Sequence, residues 1–383
     1  MGDAALTAVV RKLGAWATDR ALPLWATAGF DAASGRFREA LTLDGKPIGD
    51  VPTRLIVQAR QVFSYALAAK RKWHAGAAGI AESGYRSMVR DYHKPDGRSG
   101  WIYSVSSDGV IADAKRDLYS HAFALLAIGA YVGLTGRRDA LALADETLDF
   151  IDRELHAPLS GGYLEALPQT TDVRRQNPHM HLFESMLSLW ENTGEARYLA
   201  RAGEMYGLFT TRFFRPGAGV LGEYFDAALA PAAGNAGDIV EPGHHSEWIW
   251  LLRRFERETG RRVQPYIDRL YDHAARHGYD PSGLMVDEIM ADGDHHVPSH
   301  RTWPMTEALK ANIVEAAAGR PEAGAKAAAL GNLLFDRFLE PAHAGGWMDR
   351  LDAAGRPAAN TMPASTLYHV LGAIDVAANF VSA

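Results

Sequence analysis

No cysteine occurs among the 383 residues, which excludes disulfides, thiolate nucleophiles and cysteine-ligated zinc. No basic stretch offsets the formal charge of -6, so the electrostatic footprint of a nucleic-acid binder is missing. No apolar run approaches membrane-spanning length. Asp3, Arg11, Lys12, Asp19 and Arg20 interrupt the stretch where a secretory signal would need its apolar core, and Leu6 breaks the myristoylation pattern after Gly2. No Ser/Gly tract, Pro-rich tract or charge block divides the chain, so a single domain over residues 1–383 is expected. The phosphate-cradling Gly-x-x-x-x-Gly-Lys-Ser/Thr and the nucleophile elbow Gly-x-Ser-x-Gly are also missing, which removes support for nucleotide and serine hydrolysis. With 47% hydrophobic and 22% charged residues, the expectation is a globular, cytoplasmic protein with no membrane or nucleic-acid partner.

What is present recurs. Short loops rich in Gly and aromatics lie at 31–37, 95–101, 158–163, 216–220, 281–285 and 341–347, spaced by about sixty residues, longer than the common helical solenoid units. Apolar residues between them fall at helical spacing. The expected helices run over residues 4–28, 53–73, 77–92, 116–135, 139–155, 179–193, 196–213, 245–259, 263–277, 302–318, 322–338 and 364–381. The second helix of each pair is apolar nearly all round, as Ala122 to Tyr131 illustrates, and such a helix must be buried while its partner keeps a polar face. Six pairs of this kind predict an all-α fold, an (α/α)6 barrel with short β-hairpin loops; an open superhelix is the structural alternative.

Near its start, each inner helix carries groups an apolar core does not need. Arg60 lies on the second helix, Tyr119 and His121 on the fourth, and Asn177, His179, His181 and Glu184 on or just before the sixth. His244 and Glu247 stand at the eighth, Arg301, Trp303 and Glu307 at the tenth, and His369 on the twelfth. Singly, each has a bland reading. His181 and His369 on apolar faces suit inert, hydrogen-bonded core histidines, Arg60 suits an ion pair with Glu184 or Glu247, and Trp303-Pro304 suits a helix start. Together they place polar groups at one rim of the barrel, where a ligand pocket is expected. The spacing of His244 and Glu247 puts both on one helical face, so Glu247 is expected to orient the imidazole. His-x-x-Glu-Trp matches neither metalloprotease order, and the Asp292–His296 cluster reads as a solvated loop or lid. No metal or other cofactor is expected.

Arg54-x5-Arg60, Asp117-Leu-Tyr-Ser-His-Ala-Phe123, Asn177-Pro-x-Met-His-Leu-x-Glu184, Glu241-Pro-Gly-His-x-x-Glu-Trp248, Arg301-x-Trp-Pro-x-x-Glu307 and Tyr368-His369 together resemble the N-acylglucosamine 2-epimerase superfamily. The resemblance runs from about residue 15 to the C-terminus. It implies a reducing sugar as substrate and chemistry at its C1 and C2. It further implies that His244 and His369 transfer protons, His181 opens the sugar ring and Glu247 orients His244. Arg60, Tyr119, His121, Asn177, Glu184, Trp303 and Glu307 would then bind the sugar. Imidazole suits this work because it titrates near neutrality, and a permanent guanidinium suits an enediolate oxygen. The expected activity is mannose–fructose isomerisation, with lyxose–xylulose also open, in a monomer or homodimer. A sugar 2-epimerase of mannose, cellobiose or N-acylglucosamine type is the alternative. A glycoside hydrolase using two of Glu184, Glu247 and Glu307 and a non-catalytic helical scaffold are the readings from other classes.

Overall fold

A helix with no polar face can only be satisfied in an interior, and the even-numbered helices of this chain form the inner ring of a barrel. The computed structural model describes residues 2–157 and 160–382, so Pro158 and Leu159 of the third loop lie outside the described residues. Inner helices are α2 (Leu55–Lys70), α4 (Leu118–Thr135), α6 (Gln176–Thr193), α8 (Pro242–Thr259), α10 (Thr302–Ala317) and α12 (Thr366–Ser382). Outer helices are α1 (Gly2–Trp16, continuing to Leu22–Thr27), α3 (Ala77–Tyr92), α5 (Leu141–Phe150), α7 (Ala196–Leu208), α9 (Gln264–His277) and α11 (Ala323–Leu334). In length and composition α4 could cross a bilayer, contrary to the expectation that no run approaches that length, but 72% of it is buried inside the barrel.

Most loops close locally, as expected: single antiparallel bridges join His93 to Trp101, His156 to Tyr163 and Tyr279 to Met285 in three of them. Two others are hairpins, Phe30–Asp31 with Arg36–Phe37 and Phe214–Arg215 with Val220–Leu221. The other strands mainly join one unit to the next. Thr53–Arg54 pairs with Ser104–Val105, Arg116–Asp117 with Ala166–Leu167, Arg174–Arg175 with Tyr224–Phe225, and Ile239–Val240 with Glu288–Met290. His300–Arg301 pairs with Arg350–Leu351, and Thr361–Pro363 returns to Ala40–Thr42. That last pair joins the final unit to the first, so the ring is closed and the superhelix alternative is excluded.

A side-chain acceptor also ties most loops to their inner helix. The backbone N–H of Phe37 donates to Gln58 Oε1 at 2.9 Å, and those of Trp101, Tyr163 and Leu221 donate to Nε2 of His121, His179 and His245, each at 3.0 Å. Met285 N–H meets Met305 Sδ at 3.2 Å. Gly100, at φ +80°, lets the second loop come this close, since a Cβ there would lie 2.9 Å from His121 Nε2. His121 and His179 donate their Nδ1–H to the carbonyls of Asp117 (2.7 Å) and Arg175 (3.0 Å). These histidines are structural: a buried loop N–H needs an acceptor, and a neutral imidazole supplies one.

Burial lowers the pKa of His121 to about 4 and of His179 and His245 to about 3. A depressed folded-state value means that their contribution is complete above the unfolded pKa and declines as pH falls through the folded value. Replacing His121 with Gln keeps an acceptor, as Gln58 does in the first loop, and is expected to preserve stability while weakening acid sensitivity. His121→Ala strands the Trp101 N–H and is expected to cost about 1–3 kcal/mol. Urea unfolding at about pH 7.5 and about pH 5 separates the two outcomes.

Candidate active site

Each inner helix begins at a comparable point on its loop. The N–H groups of Leu55, Leu118, Gln176, Thr302 and Ala364 donate to the carbonyls of Tyr103, Glu165, Glu223, Asp349 and Glu39. Five residues beyond each stand Arg60, Phe123, His181, Glu307 and His369, and Glu247 follows Pro242 by the same interval. These six buried side chains come one from each inner helix. Four residues nearer the rim lie Ile56, Tyr119, Asn177, Gly243, Trp303 and Ser365, and three residues deeper lie Phe63, Leu126, Glu184, Trp250, Lys310 and Gly372. Positions i, i+4 and i+7 share a helical face, so a common starting height stacks the site in layers.

The three candidate histidines meet in these layers. Ligand atoms of His181, Glu184 and Glu247 lie within 4.8 Å of one another, as do those of Glu247, Glu307 and His369, so Glu247 bridges two imidazoles. The third, His244, is reached through Trp303, whose ring centroid is 5.0 Å from that of His244 and 5.8 Å from that of His369. Gly243 makes this possible, because a Cβ there would stand 2.6 Å from the Trp303 ring. Arg60 lies over Phe123 at 4.2 Å and Tyr368 at 5.1 Å and donates to the Tyr119 hydroxyl at 2.8 Å. No carboxylate pairs with it among the described residues, so the expected ion pair with Glu184 or Glu247 is replaced by aromatic faces.

Each of these histidines holds a carboxylate through Nδ1: His181 to Glu184 at 3.0 Å, His244 to Glu223 at 3.0 Å, and His369 to Glu307 at 2.8 Å. This fixes the ring and leaves Nε2 for chemistry. Their charge states diverge. Burial works against a charged His244, but Glu223 and Glu241 outweigh it and raise its pKa to about 9. Burial, helped by Arg60 and Lys310, pushes His369 well below the ordinary value, and burial brings His181 down to about 4. Glu184 resists its burial through the His181 hydrogen bond and sits at about 2. Burial and the neighbouring Glu307 push Glu247 well up, and its Oε1 has no partner. The site therefore sets an imidazole biased toward the cation, His244 at the rim, against two imidazoles biased toward the neutral form, beside a guanidinium and a carboxyl whose surroundings favour its proton.

Several expectations need correction. Glu247 does not orient His244. Helical side chains lean toward the N-terminus, so the His244 ring tips to the rim, where Glu223 and Glu241 wait, while Glu247 lies a turn deeper. His121 has both ring nitrogens engaged by backbone and stacks on Phe150 at 4.8 Å, so it serves the wall rather than a sugar. Glu184 and Glu307, expected on sugar oxygens, are bound to His181 with Tyr368 and to His369 with Lys310. Asn177 is half-buried with an unpartnered Oδ1 and remains open to a ligand. His295 of the Asp292–His296 cluster meets the His277 carbonyl at 3.1 Å. The two trios around Glu247, together with Glu223, Glu241 and His244, have cation-site spacing, but Nδ1 of each imidazole in them is already tied to a carboxylate.

Sequence reasoning missed Glu223, Gln176 and Lys310. Glu223 also accepts from Gln176 Nε2 at 3.0 Å, and Gln176 Oε1 accepts from Trp248 Nε1 at 2.9 Å. The available signal was a lone acid in Gly222-Glu223-Tyr224 and a lone lysine deep in an apolar helix. Because Glu223 sustains the charge of His244, Glu223→Gln is expected to move the alkaline limb of kcat/KM downward by about one pH unit or more. An unchanged alkaline limb in the pH–rate profile would contradict this assignment.

A model of the N-acylglucosamine 2-epimerase (GlcNAc 2-epimerase) family matches residues 35–373. The chain is 37% identical over 379 residues to a protein of Rhizobium meliloti named mannose-6-phosphate isomerase, covering 95% of each chain. Its fold is similar to that of cellobiose 2-epimerase from Spirochaeta thermophila, with a TM-score of 0.87, 24% identity, and 98% and 97% of the two chains covered. It is also similar to a D-mannose isomerase structure, with a TM-score of 0.85, 21% identity and the same coverage. The family match and the Rhizobium meliloti relative together show that the chain belongs to the N-acylglucosamine 2-epimerase family.

Proposed function

We propose that this protein is an aldose–ketose isomerase that interconverts D-mannose and D-fructose through an enediolate, using imidazole acid–base chemistry. The observation that carries this reading is the contrast around Trp303 between His244, faced by two carboxylates, and His369, whose carboxylate also faces Lys310. His181 takes the anomeric hydroxyl proton as the ring C–O bond breaks, and that proton passes to the ring oxygen. Neutral His369 then removes the proton from C2. Electrons of the broken C–H bond form C1=C2, and charge moves onto O1, where Arg60 and cationic His244 stabilise it. His244 gives O1 a proton and recovers one from O2 as the C2 carbonyl forms. His369 exchanges the captured proton with solvent while the enediol persists and delivers one to C1, which completes the ketose.

The same residues could support a 2-epimerase, since imidazoles stand on two sides of Trp303. That reaction needs each imidazole to act as carbon base in one direction, and a His244 held at about 9 is a poor base at neutral pH. An isomerase uses His369 as the carbon base both ways. A glycoside hydrolase would need two free carboxyl groups, whereas Glu184 and Glu307 are bound to histidines. A 6-phosphate would call for charge-assisted donors, yet the rim guanidiniums of Arg54, Arg175 and Arg301 are occupied by Glu39, Glu165 and Asp287. This favours the free sugar.

Incubating the protein with mannose in heavy water is expected to give fructose labelled at C1, seen by NMR, and His369→Gln to slow it by about 10² to 10⁴. Label at C2 of glucose would replace the isomerase reading with the epimerase one. Preferred turnover of mannose 6-phosphate would overturn the free-sugar assignment.

A further inference from the structure

Two histidine–carboxylate pairs flank the Trp303 ring, and they differ in what else touches the carboxylate. On the His244 side, Glu223 Oε2 accepts from a neutral amide, Gln176 Nε2, at 3.0 Å, and a second carboxylate, Glu241, lies 3.9 Å from the imidazole. On the His369 side, Glu307 Oε2 faces the ammonium of Lys310 at 2.6 Å. Lys310 is 1% exposed, and its Nζ sits 3.8 Å over the Trp250 ring. Lysine is almost never fully buried without a partner, and here that partner already serves a histidine.

We infer that Lys310 is the positioning residue that keeps His369 a neutral base, by occupying the charge of Glu307 so that the His369–Glu307 pair does not take up a second proton. Glu223 has a neutral amide and no ammonium beside it, which leaves that carboxylate's charge to His244, the acid. Around His369, burial, Arg60, Lys310 and His181 oppose its protonation and Glu184 favours it, with Glu247 also within 4.8 Å. Burial pushes Glu307 itself up, with Lys310 working against it. Without the ammonium, the pair is expected to gain a proton shared across the Nδ1···Oε1 hydrogen bond, and Nε2 then carries a proton of its own. Lys310 touches no reacting atom.

The rate readout rests on the isomerase reading above; the spectroscopic one does not. Lys310→Gln puts on Glu307 the kind of amide that Gln176 gives Glu223. It is expected to raise the acid limb of kcat/KM by about one to two pH units, so that activity lost near neutrality returns as pH rises, while Lys310→Arg keeps the native profile. In parallel, 15N NMR of the imidazoles, with His369 assigned through His369→Gln, is expected to show the His369–Glu307 pair taking up its proton higher by the same amount. Lys310→Met, which fills similar space, serves as second variant if the Gln form does not fold. A uniform fall in rate at every pH with an unmoved His369 titration would overturn the inference, as would a wild-type His369 that binds its second proton at higher pH than His244. No sugar turnover by the wild type would refute the isomerase reading alone, since the imidazole titration is read without substrate.

Discussion

Six helices enter this barrel at one height, set for five of them by a backbone hydrogen bond to the loop of the next unit and for the sixth, which starts at Pro242, by the pairing of Ile239–Val240 with Glu288–Met290. Everything in the site follows from it. When every inner helix starts at the same level, residues at the same interval from the start form a layer. The layer five residues in collects Arg60, Phe123, His181, Glu247, Glu307 and His369. The ring of short strand pairs, closed by Thr361–Pro363 on Ala40–Thr42, prevents any one helix from sliding. Inner helices supply the reactive groups while the loops, tied down by Gln58, His121, His179 and His245, supply the reference plane.

Within that frame, chemistry is set by what lies behind each imidazole. His181, His244 and His369 are alike in their Nδ1 contacts to a carboxylate but differ in charge. Two acids around His244 outweigh its burial, whereas the carboxylate that His369 holds also faces an ammonium. Pairs of titratable groups whose surroundings push them apart mark the acid and the base of a site. Arg60 adds a cation held by aromatic faces rather than by a counter-charge, so its positive field is available to a developing oxyanion.

Much of the architecture was legible because its causes are local. All-round apolar helices such as Leu118–Thr135 announce an inner ring, and glycines with aromatics announce the loops. The polar starts of the inner helices pointed to the rim, and the layer of Arg60, His181, Glu247, Glu307 and His369 was named residue by residue. Orientation was less legible. Helical spacing put Glu247 beside His244, yet the partner is Glu223, which lies 21 positions away in the chain on a loop. His121 looked like a site residue because a histidine at a helix start carries the same letter whether it accepts a loop N–H or faces a ligand. Lys310 passed unnoticed for a related reason: a lone lysine in an apolar helix declares its role only once Glu307 and Trp250 are seen around it.

The central claim is that, of the two imidazoles flanking Trp303, His244 is cationic and His369 neutral at neutral pH. Neutron diffraction from crystals grown in heavy water at neutral pD reads this directly. Deuterium on both ring nitrogens of His244 and on Nδ1 alone of His369 is the predicted result. Finding the two rings in the same protonation state, or deuterium on Nε2 of His369, would contradict it.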